Sequence, residues 1–177
     1  MTPGSFYYKK DLNESQILET IEVSSEVCFY PKDTIFGKSR PQFWEFYEFI
    51  KEPVYTLGAY NYNRLGLDTQ VPARFYFATK NKIQTKIETW DNFHIRTEIK
   101  EEYYSLFSPI EFMFFDSLTH FNQIGDGYYP TTKDLIRGIK SRAEDVIKRG
   151  ATINWSLIVT EALKENPNLN KYAKILK

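Results

Sequence analysis

Residues 58–79 read GAYNYNRLGLDTQVPARFYFAT, and their succession of helix formers, glycine, polar turn and aromatic strand organises the whole chain. From Ala59 to Leu65 no proline or glycine interrupts, and Tyr62 and Leu65, three apart, share one helical face. Gly66 supplies the left-handed residue that ends a helix at least steric cost, and Leu67 is placed to fold back as the apolar contact that accompanies such a cap. Asp68, Thr69 and Gln70 are then left on a turn. Pro72 biases Val71 away from helix, so the chain leaves the turn extended and enters the aromatic strand Arg74 to Thr79. A helix and a strand are thereby fixed around three polar side chains.

Upstream, Asn13 to Ser25 places Ile17, Leu18 and Ile21 at helical spacing, with Asn13 as cap and a break near Ser24 and Ser25. The β-rich Glu26 to Tyr30 follows, then a loop from Pro31 to Pro41 containing Gly37. Pro41 suits the first position of the next helix, in which Phe43, Phe46, Tyr47 and Ile50 form an apolar stripe. Trp44 and Phe49 lie off that stripe, which reads either as burial on two sides or as a partner-binding face.

Downstream, Ile83 to Ile87 and Phe93 to Ile99 alternate apolar and polar residues, with turn-like links at Lys80 to Lys82 and Asp91-Asn92. With Phe75 and Phe77 they predict an antiparallel meander. Ser108-Pro109-Ile110-Glu111 has the form of a capping box with proline at the first helical position, so the central core helix begins there and runs to about Phe121. Gly125-Asp126-Gly127 is its expected stop. Thr131 or Thr132 caps a helix that runs to Arg149 and ends at Gly150, and a last helical region spans Asn154 to Lys164 before a short tail. The expectation is one α+β domain over residues 1–177, a small antiparallel sheet packed against several helices.

The 14 Phe and 13 Tyr supply an aromatic core large enough to need no disulfide or metal. Lone Cys28 has no disulfide partner in the chain and reads as a small core residue in a reducing compartment. No apolar run reaches membrane-span length and no leader pattern opens the chain, so a cytoplasmic protein without a membrane partner is expected. Net charge is zero, yet residues 131–177 carry ten basic against five acidic side chains. On the helix after Thr132, Lys133, Arg137 and Lys140 fall along one side, with Lys148 near it. That ridge is either a solvated face or a surface for nucleic acid or an acidic partner.

Catalytic signals are sparse. Glu98-Ile99-Lys100 has the E-x-K form of PD-(D/E)xK nucleases, with Asp68 or Asp91 as the further carboxylate, a pattern common by chance in a charged chain. His94 and His120 have no neighbours at ligand spacing, and each reads as an ordinary sheet or helix residue. No catalytic residue, metal ligand or cofactor is assigned. Asp68, Thr69 and Gln70 either satisfy their own turn or form a recognition site.

The run LGLDTQVPA, from Leu65 to Ala73, preceded by Gly-Ala and a helix and followed by an aromatic strand ending in threonine, resembles the hallmark of the abortive-infection AbiEi-type antitoxins. That resemblance implies a non-catalytic antitoxin of a type IV toxin–antitoxin pair, partnered by a nucleotidyltransferase-type toxin. Family members carry an N-terminal winged helix-turn-helix whose wing ends in a glycine followed by aromatics. Pro3 to Lys10 therefore reads either as a remnant of that wing or as an edge strand or disordered terminus. Two alternatives stand beside the antitoxin: a nucleic-acid-binding regulator, and a metal-dependent nuclease through Glu98 and Lys100.

Overall fold

The computed structural model describes residues 1–69, 71–81, 94–125 and 129–177, which form helices and small antiparallel sheets in an α+β architecture. The chain divides into two compact units, Met1–Val54 with Thr79–Arg96, and Tyr55–Ala78 with Thr97–Lys177.

In the first unit, strand β1 (Ser5–Tyr8) pairs antiparallel with β3 (Val27–Tyr30), which pairs on its other side with β2 (Ile21–Glu22). The register runs from Ser5 opposite Tyr30 to Tyr8 opposite Val27. The N-terminal segment is thus an edge strand. Helix α1 (Glu14–Ile17) has a capping box between Asn13 and Gln16, but it stops after one turn instead of reaching Ser25. The Thr20 hydroxyl donates to the Ile17 carbonyl at 2.7 Å, and β-branched Ile21 joins the sheet opposite Phe29. Leu18, expected on a buried face, is 86% exposed.

The expected loop from Pro31 to Pro41 contains a hairpin, β4 (Asp33–Thr34) and β5 (Gly37–Lys38). Helix α2 (Phe43–Ile50) starts after Gln42, so Pro41 precedes it in a buried position rather than opening it. Phe43, Phe46 and Tyr47 are buried, and Phe49 finds a place off the stripe against Phe6 and Tyr8, with ring centroids 5.8 and 5.0 Å away. Trp44 is left 42% exposed, its ring edge-on to Phe43.

In the second unit, β6 (Tyr55–Leu57) leads through Gly58 into α3 (Ala59–Arg64), and β7 (Phe75–Ala78) returns antiparallel to β6 with Tyr55 opposite Ala78. Phe75 and Phe77 face inward while Tyr76 between them is exposed, as strand alternation requires. The predicted strand at Ile83 to Ile87 and the turn at Asp91-Asn92 lie outside the described residues. Of the strand predicted from Phe93 to Ile99, Phe93 lies outside the described residues, and among the rest β8 (His94–Arg96), in the first unit, is the part extended in a ladder.

After the short α4 (Tyr103–Leu106), α5 (Pro109–Thr119) is the core helix expected. Ser108 accepts from the Glu111 amide, and the Glu111 carboxylate accepts from the Ser108 amide at 2.8 Å. The second Glu111 oxygen accepts from the Asn154 amide at 2.8 Å, tying the start of α5 to the cap of α7 (Trp155–Glu165). Every residue from Phe112 to Leu118 is buried. Around them pack Tyr103, Phe107, Ile136, Ile139, Ile158 and Leu176. Helix α5 ends at His120, ahead of the expected Gly125-Asp126-Gly127 stop, and a 3-10 turn over Phe121–Gln123 carries the chain on. Residues 126 and 127 lie outside the described residues.

Helix α6 (Thr132–Lys148) is capped by Thr131 and closed by Gly150 at φ 96°, whose following amide, Ala151, bonds back to the Val146 carbonyl. Mid-helix Gly138 has a packing reason: the Tyr129 ring lies where a side chain would be. The C-terminal helix α8 (Ala173–Leu176) is pinned by the Trp155 indole, which donates to the Leu176 carbonyl at 2.9 Å. No helix among the described residues is long and apolar enough to cross a membrane.

Candidate recognition site

Helix α3 closes as the sequence implies. Gly66 takes φ 67°, the Leu67 amide bonds the Tyr62 carbonyl at 2.7 Å and the Gly66 amide bonds the Asn63 carbonyl at 2.9 Å. These are the two bonds of a Schellman cap, and Leu67 folds back with no exposed surface. The Arg142 guanidinium of α6 lies over Gly66, 3.2 Å from where a Cβ would stand.

The turn that follows is clamped at its entry. The Asp68 carboxylate accepts from the Gly125 amide at 3.0 Å, so Asp68 is turned toward its own unit. Thr69 is exposed, and Gln70 lies outside the described residues. Val71 is 85% exposed, and Phe75 and Phe77 re-enter the core beyond it. Of the three polar residues singled out in the sequence, one is committed to holding the turn and one is displayed. The displayed neighbour that polarity does not flag is Val71.

Behind this turn lies a polar network that the sequence reading missed. Gly58 adopts φ 67° at the head of α3 and donates its amide to Asp116 Oδ2 at 2.8 Å. Asn61 Nδ2 donates to the same oxygen at 2.9 Å and to the Thr56 carbonyl at 2.6 Å, while the Thr56 hydroxyl donates to Asn61 Oδ1. His120 Nδ1 sits 3.1 Å from Asp116 Oδ1, one helical turn on. Asp116 is 3% exposed and Asn61 fully buried. A carboxylate held by three donors satisfies the requirement that a buried charge be paired.

Two groups beside this carboxylate have raised pKa values, the imidazole because its charged form is favoured and the phenol because its charged form is disfavoured. The hydrogen bond to Asp116, reinforced by its charge, raises the His120 imidazole above its ordinary pKa, against a smaller lowering by burial. Burial, with the Asp116 charge adding to it, pushes the Tyr62 phenol far above its usual range. The Tyr62 hydroxyl has no hydrogen-bond partner among the described residues. The signal in the sequence was Asp116 itself, an acid inside the otherwise apolar run PIEFMFFDSLT, which on a wholly buried helix demands partners.

The remaining candidates scatter. Lys100 forms an ion pair with Glu165 at 2.5 Å, and the hydrogen bond raises the lysine and lowers the carboxyl. The stretch 97–100 is not in a strand, Asp91 lies outside the described residues, and Asp68 is on Gly125. His94 stacks flat on Phe43 at 4.3 Å between centroids, and Cys28 is buried within β3. Among the described residues, no group of three acidic, histidine or cysteine side chains is placed to hold a metal.

The basic ridge on α6 is interrupted by its own acids. Arg137 pairs with Asp134 at 3.2 Å, Lys148 with Asp145 at 3.9 Å, and Lys140 donates to the Ile175 carbonyl at 3.1 Å. Lys133 is exposed near Asp134, whose carboxyl is lowered first by the Thr131 hydroxyl and then by Arg137. Glu144 falls between Lys140 and Lys148 at helical spacing.

No family model, curated protein or solved structure matches this chain.

Proposed function

We propose that this chain is a non-catalytic, antitoxin-like binding protein that neutralises a nucleotidyltransferase-type toxin through the turn after α3. The observation that carries the reading is the clamping of that turn. Leu67 and the Asp68–Gly125 bond fix its entry, Phe75 and Phe77 fix its exit, and Thr69 and Val71 stand out between them. A β-branched apolar side chain has few rotamers to lose on binding, and the anchoring of the chain ahead of it by Leu67 and Asp68 favours a preorganised contact. The same stretch carries the resemblance to AbiEi-type antitoxins. The acids along the α6 ridge weaken the attraction for nucleic acid that its lysines would otherwise exert.

Co-expression of the chain with a nucleotidyltransferase-type toxin encoded beside it tests the reading. Restored growth together with co-purification of the two proteins is the expected outcome. Unrelieved toxicity at matched expression refutes it.

A further inference from the structure

Ile35 and Phe36 are each 93% exposed, more than any other large apolar residue among those described. They are the two loop residues of the β4–β5 hairpin, whose ladder sets Asp33 opposite Lys38 and Thr34 opposite Gly37. A tight hairpin does not ask for such residues at its tip, where Asn, Asp and Gly serve best. Here Thr34 and Gly37 hold the turn. The Thr34 hydroxyl donates to the Gly37 carbonyl at 2.6 Å and accepts from the Phe36 amide at 3.2 Å, and Gly37 takes φ 101°. The base is closed by Ser39, whose amide bonds the Lys32 carbonyl and whose hydroxyl accepts from the Lys32 amide, both at 2.8 Å. Polar groups thus build a firm hairpin that displays two apolar side chains on its crest.

Basic residues flank the hairpin and its base. Lys32, Lys38 and Arg40 are all exposed, and Asp33 is the only acid between residues 31 and 40. We infer that the hairpin is a peripheral membrane anchor, which lowers Ile35 and Phe36 into the interfacial region of an anionic bilayer and sets Lys32, Lys38 and Arg40 against the lipid phosphates. The contact is with the membrane surface and needs no crossing helix.

Shape and charge favour a bilayer over the other macromolecules. A stable protein interface takes roughly 800 Å² from each partner around an apolar centre. This apolar surface is two side chains on a convex tip with exposed polar neighbours on both strands. A bilayer has no fixed shape to match. A nucleic-acid duplex rewards an extended basic track, whereas the unit that bears the hairpin holds ten basic and eleven acidic side chains. Three of the unit's ten basic side chains, Lys32, Lys38 and Arg40, stand on the hairpin and its base against Asp33 alone, and within a Debye length of roughly 10 Å such a local excess of positive charge attracts an anionic surface.

Sedimentation of the full chain with vesicles tests the inference, comparing pure phosphatidylcholine with phosphatidylcholine containing a quarter phosphatidylserine. Binding to the anionic vesicles only, weakened by salt, is the expected result. The Ile35→Ser, Phe36→Ser double variant should lose roughly tenfold or more of that partitioning while keeping the wild-type circular dichroism, since both side chains stand in solvent. The Lys38→Ala, Arg40→Ala variant should bind anionic vesicles more weakly. Absence of vesicle binding overturns the inference, as does binding unchanged in the serine variant. Lipid-free self-association or duplex binding that the serine variant abolishes also overturns it, reassigning the tip to a second copy or to nucleic acid.

Discussion

Replacing Asp116 with alanine should unfold the second unit far more easily than deletion of one polar side chain usually does. In the native protein its carboxylate accepts from the Gly58 amide, Asn61 Nδ2 and the His120 ring, and it is 3% exposed. Alanine leaves the Gly58 amide without this partner at the head of α3, takes one of two acceptors from a fully buried amide, and releases His120. A stranded buried donor costs about 1–3 kcal/mol, and donors to a charged group lie toward the upper end. Asn61 keeps the Thr56 carbonyl and His120 regains water, so the total should be about 3–5 kcal/mol. With a urea slope of about 2 kcal/mol/M, the midpoint falls by about 2 M. Urea unfolding, with hydrogen exchange at the α5 amides to assign the change to the second unit, makes the measurement. Asp116→Asn keeps the volume but sets a new amide against existing donors, and should lose about 1–3 kcal/mol. A change in Asp116→Ala below about 0.5 kcal/mol, at unchanged slope, would show that the network does not support the fold.

His120 gives the network a pH signature. Its folded pKa is raised above the ordinary 6.5, so the stabilisation is fully present below that value and is lost as pH rises through the raised pKa. Urea midpoints taken across this range should fall with rising pH in the wild type, and His120→Gln should flatten that dependence. Gly138→Ala should destabilise although alanine is the better helix former by about 1 kcal/mol, because its methyl would meet the Tyr129 ring at 2.5 Å. A thermal midpoint at or above that of the wild type would mean that the ring moves aside freely.

The parts of the fold legible in the sequence are those fixed by residues close together along it. The Ser108–Glu111 box, the Thr131 and Asn154 caps and the Gly66 closure each satisfy backbone groups within one helical turn, and each forms where its residues indicate. Elements decided by distant partners were hidden. Ile21 has helical spacing from Ile17 but pairs opposite Phe29, because an edge of β3 is free to take it. The hairpin at 33–38 lacks the usual turn residues at its tip, so its composition spoke for a loop. At the candidate site, the exposure of Thr69 follows from turn chemistry. The commitment of Asp68 to an amide 57 residues away does not. Asp116 was readable in principle, as an acid in an apolar helix, but its partners Gly58 and Asn61 are joined to it only through the fold.

If the turn after α3 is a contact surface, calorimetric titration of a nucleotidyltransferase-type toxin will distinguish the wild type from the Thr69→Arg, Val71→Asp variant. Both side chains are exposed, so the variant should unfold at the wild-type urea midpoint. The expected result is a 1:1 complex that the variant weakens at least roughly 30-fold, as loss of a central contact does. Equal affinity for both proteins, or no complex with the wild type, would contradict it.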